Sequence, residues 1–394
     1  MLEKNTYTNF IKIIYKIKMI KEFKYPKLSS KPRVRMRDLA VKDKKKKLAL
    51  NKVFQKVIKH GNFILGKEVK DFEKKMCEIN QIKYCVGVSS GSAGLLLALK
   101  AADIKKGDEV ITTPMSWLVT STTILMVGAV PVFADVDKNF NLDPSKIENL
   151  ITKKTKAVLP VHFYGKIAQI DKIKKICNRN KLILIEDVAQ AFGTSLNKKK
   201  AGTFGDIGIF SFGPMKVHGA LGDAGAIVFN KKKYQKKILS LRQCGTINNE
   251  ICVEPEIKHN LDALQAAFLK VNLNLYEKTK KKRFLVAQRY KKKLSKKILS
   301  PDTSDYNSHS FYDFTILINN RKKVINYLYQ NSIEVKVRHP FLINQQPVFK
   351  KLPKKKLPRS EEYVKKILQL PIHENITNKE VDYVCKKLNS FVDK

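Results

Sequence analysis

The chain has 394 residues, with 78 Lys plus Arg against 35 Asp plus Glu, a formal net charge of +43. Hydrophobic residues make up 43%, which provides for a sizeable core and excludes wholesale disorder. The charge invites a polyanion-binding reading, but its distribution argues otherwise. Only ten of the cations are Arg, the residue that dedicated nucleic-acid sites use for bidentate contacts. The Lys fall in runs such as Lys44–Lys47, Lys198–Lys200 and Lys280–Lys282, which read as solvated helix faces and turns. No specific nucleic-acid partner is expected.

Residues 1–30 form a basic extension. Its apolar stretch is broken by Lys every two to four residues, so no signal peptide is expected. An interfacial amphipathic helix over 9–23 is one reading and an unstructured start the other. Helical periodicity follows over 40–60 and 67–80, separated by the turn HGNFILG. From residue 84 short apolar runs alternate with helical stretches. Strands are predicted at 84–88, 108–112, 130–137, 156–163, 181–187, 206–212 and 225–230, with helices at 92–102, 116–127, 143–151 and 168–179. That alternation predicts an α/β fold: a mostly parallel seven-stranded sheet between helices, in a large domain over 31–260. Beyond it, one or two long helices over 262–297, strands at 311–318 and 332–338 around a helix at 321–331, and two terminal helices around LQLPI predict a smaller α+β domain over 261–394.

The six Cys (Cys77, Cys85, Cys177, Cys244, Cys252, Cys385) show no CxxC or CxxH spacing. They read as reduced thiols of a cytoplasmic protein with no metal site. No apolar run approaches the roughly 18 residues of a membrane-spanning helix.

In parallel sheets ligands sit outside the carboxyl ends of the strands, and four features fall there. Ser89, Ser90, Gly91, Ser92 and Ala93 end the first strand and open a helix, a cradle for an anion. Trp117, the single Trp, follows the second strand and reads either as a core anchor or as a face for a planar ring. Glu186 and Asp187 end the apolar run KLILI, where an unpaired buried charge would be costly, so one of them should face a cationic partner. Lys216 follows Ser211 and Phe212 in the GPMK segment, poor company for a solvated Lys, and could act as a Schiff-base nucleophile. An anion cradle, an aromatic face, an acid for a ring nitrogen and an amine for an aldehyde are the four things that pyridoxal 5'-phosphate requires. In this reading Asp187 keeps the pyridine nitrogen protonated.

From about Arg37 to the C-terminus the chain resembles the DegT/StrS-type nucleotide-sugar aminotransferases, a fold type I family dependent on pyridoxal phosphate. The motifs that carry the resemblance include FILGKEVKDFE, SSGSAGLLLALKA, LIEDVAQAFGT, GDIGIFSF, PMK, LGDAGAIV and LQLPIHENIT, in order. The resemblance implies that Lys216 bonds the cofactor and then shuttles the proton, and that Asp187 pairs with the pyridinium nitrogen. It places Gln190 near the phenolic oxygen, Trp117 on the ring, and Ser92, Ala93 and Ser211 on the phosphate. One departure stands out. The family often has an Asn, a residue and then Arg before its LQAA motif, the Asn being lent to the neighbouring subunit's phosphate in a homodimer. Counted without gaps, those positions are Lys258 and Asn260, and either could take the role.

The implied reaction moves an amino group from glutamate, with glutamine the other candidate donor, to a 3- or 4-keto sugar on a nucleoside diphosphate, for surface polysaccharide or a related glycan. Lys166, Arg338–His339 and the Lys cluster at 278–282 are candidates to meet the diphosphate. His162 and Tyr164 are candidates to line the pocket, His162 being equally readable as a satisfied turn histidine. Sugar dehydratases within the family carry His in place of the Lys, so Lys216 argues against that chemistry. A non-catalytic regulatory relative is the remaining alternative.

Overall fold

A computed structural model describes residues 23–28, 31–353 and 355–393. The expected interfacial helix over 9–23 lies almost wholly outside them. The end of the extension, however, is docked. The Tyr25 hydroxyl donates to Val337 O (3.1 Å) and accepts from Val337 N (2.7 Å), and its ring stacks on Tyr329.

Helices α1 (Lys44–His60) and α2 (Gly66–Asn80) precede β1 (Tyr84–Val88), α3 (Gly91–Ala101), β2 (Glu109–Thr112), α4 (Val119–Met126), β3 (Val130–Phe133) and β4 (Thr155–Leu159). Then come α5 (Ile170–Arg179), β5 (Ile183–Asp187), β6 (Ile207–Ser211), β7 (Gly225–Phe229) and α6 (Lys232–Arg242). The sheet order is β1-β7-β6-β5-β4-β2-β3. All neighbours are parallel except β7, which runs antiparallel to both β1 and β6. All seven expected strands form, and the alternation of their side chains divides the interior into two layers. Ile185 and Ile227 enter the layer that contains α3, while Leu184, Ala226 and Val228 enter the one that contains Phe72 of α2 and Ile173 of α5. Burying a side chain such as Ile185 stabilises by about 1.5–3 kcal/mol, so strands covered on both faces need no polar side.

Helix α3 is the central one. Eight of its residues are buried, including Leu95, Leu96 and Leu97, because it is apolar on all sides. Ser90 caps it, its Oγ accepting from Ala93 N at 3.1 Å. By contrast, α5 buries only Ile170, Ile173, Ile176 and Cys177, one stripe at helical spacing, and turns its Lys outward.

Helices α7 (Ala263–Asn274) and α8 (Tyr276–Lys293) follow as two helices rather than one, and lead into β8 (Phe314–Leu317), α9 (Arg321–Gln330), α10 (Pro358–Lys366), β9 (Ile367–Leu370) and α11 (Asn378–Val392). Strands β8 and β9 pair antiparallel. Two expectations fail locally. Residues 143–151 form two short 3-10 turns (Pro144–Lys146 and Glu148–Leu150) in place of a helix, with Asp143 capping Ser145 N. Residues 332–338 form no strand: Ile333 bridges Val34, Lys336 bridges Gln369, and Val337 N is taken by Tyr25.

Candidate active site

The strand pleat sends the two carboxylates that end β5 to opposite sides. Glu186 is fully buried. Its Oε1 accepts from Gly205 N (2.6 Å) and its Oε2 from Gly202 N (2.9 Å) and His162 Nε2 (3.1 Å). His162 Nδ1 in turn accepts from Ala168 N at 3.0 Å, which puts the ring proton on Nε2. His162 is therefore the satisfied turn histidine of the two readings. With both nitrogens committed and no exposure, it cannot line an open pocket.

Asp187 faces the other way. Oδ2 accepts from Thr120 Oγ1 (3.0 Å) and Oδ1 from Ala189 N (3.0 Å). Burial raises its pKa, and the Ala189 amide, the Lys216 charge, Thr120 and His162 counter that rise. Two neutral donors leave a buried carboxylate with lone pairs to spare, which suits a cationic N–H. Thr120 itself contacts Ser116 Oγ at 2.9 Å, so the start of α4 orients the acid.

Lys216 sits in the loop after β6. Lys216 N donates to Gly213 O (2.9 Å), and Ala220 N to Phe212 O (2.7 Å), which closes the loop on itself. The Lys216 ammonium lies over the Tyr312 ring, 5.1 Å from its centroid, and its charge is felt at both Asp187 and His339. The N-terminus of α3 completes this end of the sheet. Ala93 N is taken by Ser90 Oγ and Gly94 N by Ser90 O, so the amides of Gly91 and Ser92 stay ahead of the first intrahelical bond. Ser92 is exposed, Ala93 is buried, and Ser211 lies against Gly91 so closely that a Cβ there would come within 2.5 Å of Ser211 Cβ. A glycine is required for strand end and helix start to share one cradle.

Trp117 is 58% exposed and therefore no core anchor; its ring lies 6.2 Å from that of His339. Gln190 is buried, its Oε1 accepting from Tyr164 N at 2.7 Å, so only its amide N–H groups remain to offer. Asn260 bridges Val88 at the end of β1, within its own chain, and its Oδ1 is buried without a partner. Lys258 is exposed and bridges Gln243.

The remaining substrate candidates divide. Tyr164 is buried among Phe163, Phe140 and His339, its hydroxyl without a hydrogen-bond partner. Lys166 Nζ donates to Ser308 Oγ at 2.7 Å. Lys280 Nζ reaches Gly193 O and Asn307 Oδ1 and Lys278 pairs with Asp43, so these two lysines of the cluster are committed elsewhere. Arg338 is held by Asp313 (Nε–Oδ2 2.7 Å), a carboxylate that also takes Arg37 at 2.5 Å. His339 is buried; desolvation pushes it down to about 3, so it is neutral, and its Nε2 has no partner. Sequence reading missed Thr120, Tyr312, Asp313 and Arg37. Thr120 carries a signal, since it follows Ser116 by four residues at the start of a helix. The other three are far from the motifs in sequence and carry none.

The cradle, acid and amine at the carboxyl ends of a sheet of this order coincide with a family model, described as the DegT/DnrJ/EryC1/StrS aminotransferase family, that matches residues 44–389. The chain belongs to that family. It is 33% identical over 91% of its length, and 98% of the relative's, to a "Pleiotropic regulatory protein" of Geobacillus stearothermophilus. It is 31% identical to the UDP-2-acetamido-2-deoxy-3-oxo-D-glucuronate aminotransferase of Pseudomonas aeruginosa, over 85% of this chain and 94% of that one. Among solved structures, that of NtdA from Bacillus subtilis with bound cofactor PMP superposes with a TM-score of 0.86 at 27% identity, covering 97% of this chain and 92% of the other. The α/β architecture is that of fold type I aminotransferases. Among the described residues no group of His, Cys, Asp or Glu has a metal-binding arrangement, and no helix is long and apolar enough to cross a membrane.

Proposed function

We propose that this member of the family is a pyridoxal-phosphate-dependent aminotransferase that moves the amino group of glutamate to a nucleoside-diphosphate keto-sugar. One observation carries the reading: buried Asp187, hydrogen-bonded by Thr120 and Ala189 and in no ion pair among the described residues, feels the Lys216 charge beside the α3 cradle. The residues fit the cofactor. The Gly91 and Ser92 amides, with Ser92 and Ser211, would hold its phosphate, Trp117 would cover the ring and Gln190 would donate to the phenolic oxygen. When bound, the cofactor supplies an electron sink for a carbanion.

Asp187 keeps the ring nitrogen protonated, and Thr120 keeps Asp187 aimed. Lys216 Nζ removes the proton from the donor's α-carbon and, in the second half, delivers one to the sugar carbon that takes the amine. Neutral His339, whose ring lies 6.2 Å from that of Trp117 and which feels the Lys216 charge, would stand close to the incoming sugar. A homodimer is part of the proposal. Ile247, Ile251, Val253 and Ile257 are exposed on the arm that leads to Lys258 and Asn260, a concentration of apolar surface suited to a partner subunit.

The regulatory name of one relative favours a second reading, in which the site holds cofactor without turnover. Purified protein given glutamate and a panel of nucleotide-linked 3- and 4-keto sugars separates the two. Amine product detected by mass supports the enzyme; cofactor absorbance without product on any sugar supports the regulator.

A further inference from the structure

The Lys216 ammonium is held by an aromatic face. It lies over the Tyr312 ring, 5.1 Å from the centroid, and is in no ion pair among the described residues. Asp187 and His339 feel its charge from farther off. Two more cations lie over the same ring, the guanidiniums of Arg37 and Arg338, each 5.1 Å from the centroid. A cation within about 6 Å of a ring centroid is drawn to the negative face of the π-system.

The ring is the fixed member of this contact. Tyr312 is 3% exposed. Its carbonyl accepts from Arg37 Nη2, and Asp313 beside it takes both Arg37 (Nη2–Oδ1 2.5 Å) and Arg338 (Nε–Oδ2 2.7 Å). On its other side Arg283 Nη1 donates to Phe311 O at 3.0 Å. The lysine, a compact charge on a four-carbon stem, is the member that can move.

Charge makes the ring matter. Arg37, Arg283 and Arg338 surround Tyr312, and the carboxylates that act on them are Asp313 and, for Arg283, Glu374. Positive charge is therefore in excess there before the lysine is counted. Like charges favour the neutral amine. His339 is neutral and adds nothing against them, and in the proposed function Asp187 is taken by the cofactor's ring nitrogen. The Tyr312 face is what remains to hold Lys216 as a cation.

We propose that Tyr312 is a positioning residue whose ring face seats the Lys216 ammonium whenever the lysine is not bonded to the cofactor. The seat has two consequences. It keeps the released amine at the carboxyl ends of the strands, and it favours the protonated lysine that delivers a proton to the sugar carbon. The second consequence rests on the aminotransferase reading; the seat itself does not.

Competitive acetylation of the full-length protein loaded with pyridoxamine phosphate tests the seat, because the lysine amine is then free. Labelling across a pH series, read by mass on the peptide that carries Lys216, gives the pKa of that one amine. Tyr312→Phe keeps an aromatic face and should leave this pKa within about 0.3 pH units of wild type. A ring-trifluorinated phenylalanine at the same position withdraws the negative face at nearly the same volume. It should lower the pKa by about 0.5–1.5 pH units. Packing alone would not separate these two rings. Tyr312→Leu should give a similar fall, and the fluorinated ring keeps the test open if the leucine variant does not fold. An equal pKa in the Phe and trifluorophenylalanine proteins, or a rise in the latter, would overturn the proposal. Failure to take up pyridoxamine phosphate, seen by absorbance, would count against the aminotransferase reading instead; the same labelling of the unloaded protein then decides the seat.

Discussion

His218 is a neutral histidine enclosed by aromatic rings: it stacks on Phe192 at 4.6 Å and meets Phe212 and Tyr276 edge-on. Desolvation pushes it down to about 3. In the unfolded chain an imidazole titrates near about 6.5. Between these values the unfolded state binds the extra proton, so stability is present above about 6.5 and is lost as pH falls toward the folded value. From pH 7 to pH 5 that linkage removes about 2 kcal/mol, and any folded value below about 4 gives nearly the same loss. Against a total of about 5–15 kcal/mol this is a large share. The raised carboxyls of Glu73, Asp137 and Asp187 work in the opposite direction, so the bulk acid response does not isolate the histidine. His218→Phe does, because it keeps an aromatic ring in the cage and removes the titration. Urea unfolding at pH 7 and pH 5 should show the variant losing about 2 kcal/mol less than the wild type at unchanged m. Equal losses in the two proteins would refute the reasoning.

The two neighbouring carboxylates should separate cleanly. Glu186→Gln puts an amide where Gly202 N, Gly205 N and His162 Nε2 all donate; it should cost about 1–3 kcal/mol in urea unfolding and leave the cofactor band in place. Asp187→Asn should do the reverse: stability nearly kept, and cofactor affinity, measured by titrating apoprotein, reduced about ten- to a hundredfold through loss of one charge-assisted hydrogen bond. Gly91→Ala forces a methyl group onto Ser211 at the cradle; equilibrium dialysis should show weakened cofactor binding, while Trp117→Ala, at an exposed position, should leave the unfolding free energy within about 0.5 kcal/mol of wild type.

Much of the fold is legible because its strands are continuous apolar runs and its helices carry stripes. KLILIED reads as a buried strand from its composition alone, and Lys216 stands out because a lysine should not follow FSFGPM without a task. What was not legible depends on partners remote in sequence. Residues 332–338 alternate like a strand, yet their backbone groups are divided among Val34, Tyr25 and Gln369. Arg338 looks like a free cation for a diphosphate, but Asp313, shared with Arg37, holds it. His162 is one of two candidate roles on paper, and only the Glu186 and Ala168 contacts decide between them.

The central claim is that the Lys216 amine bonds the cofactor and moves the proton. Lys216→Ala, compared with wild type in absorbance and in glutamate-dependent turnover, tests it directly. Loss of the long-wavelength band of lysine-bound cofactor, together with loss of turnover while the protein stays folded, is the predicted result. A variant that keeps the band, or that turns over normally, would contradict it.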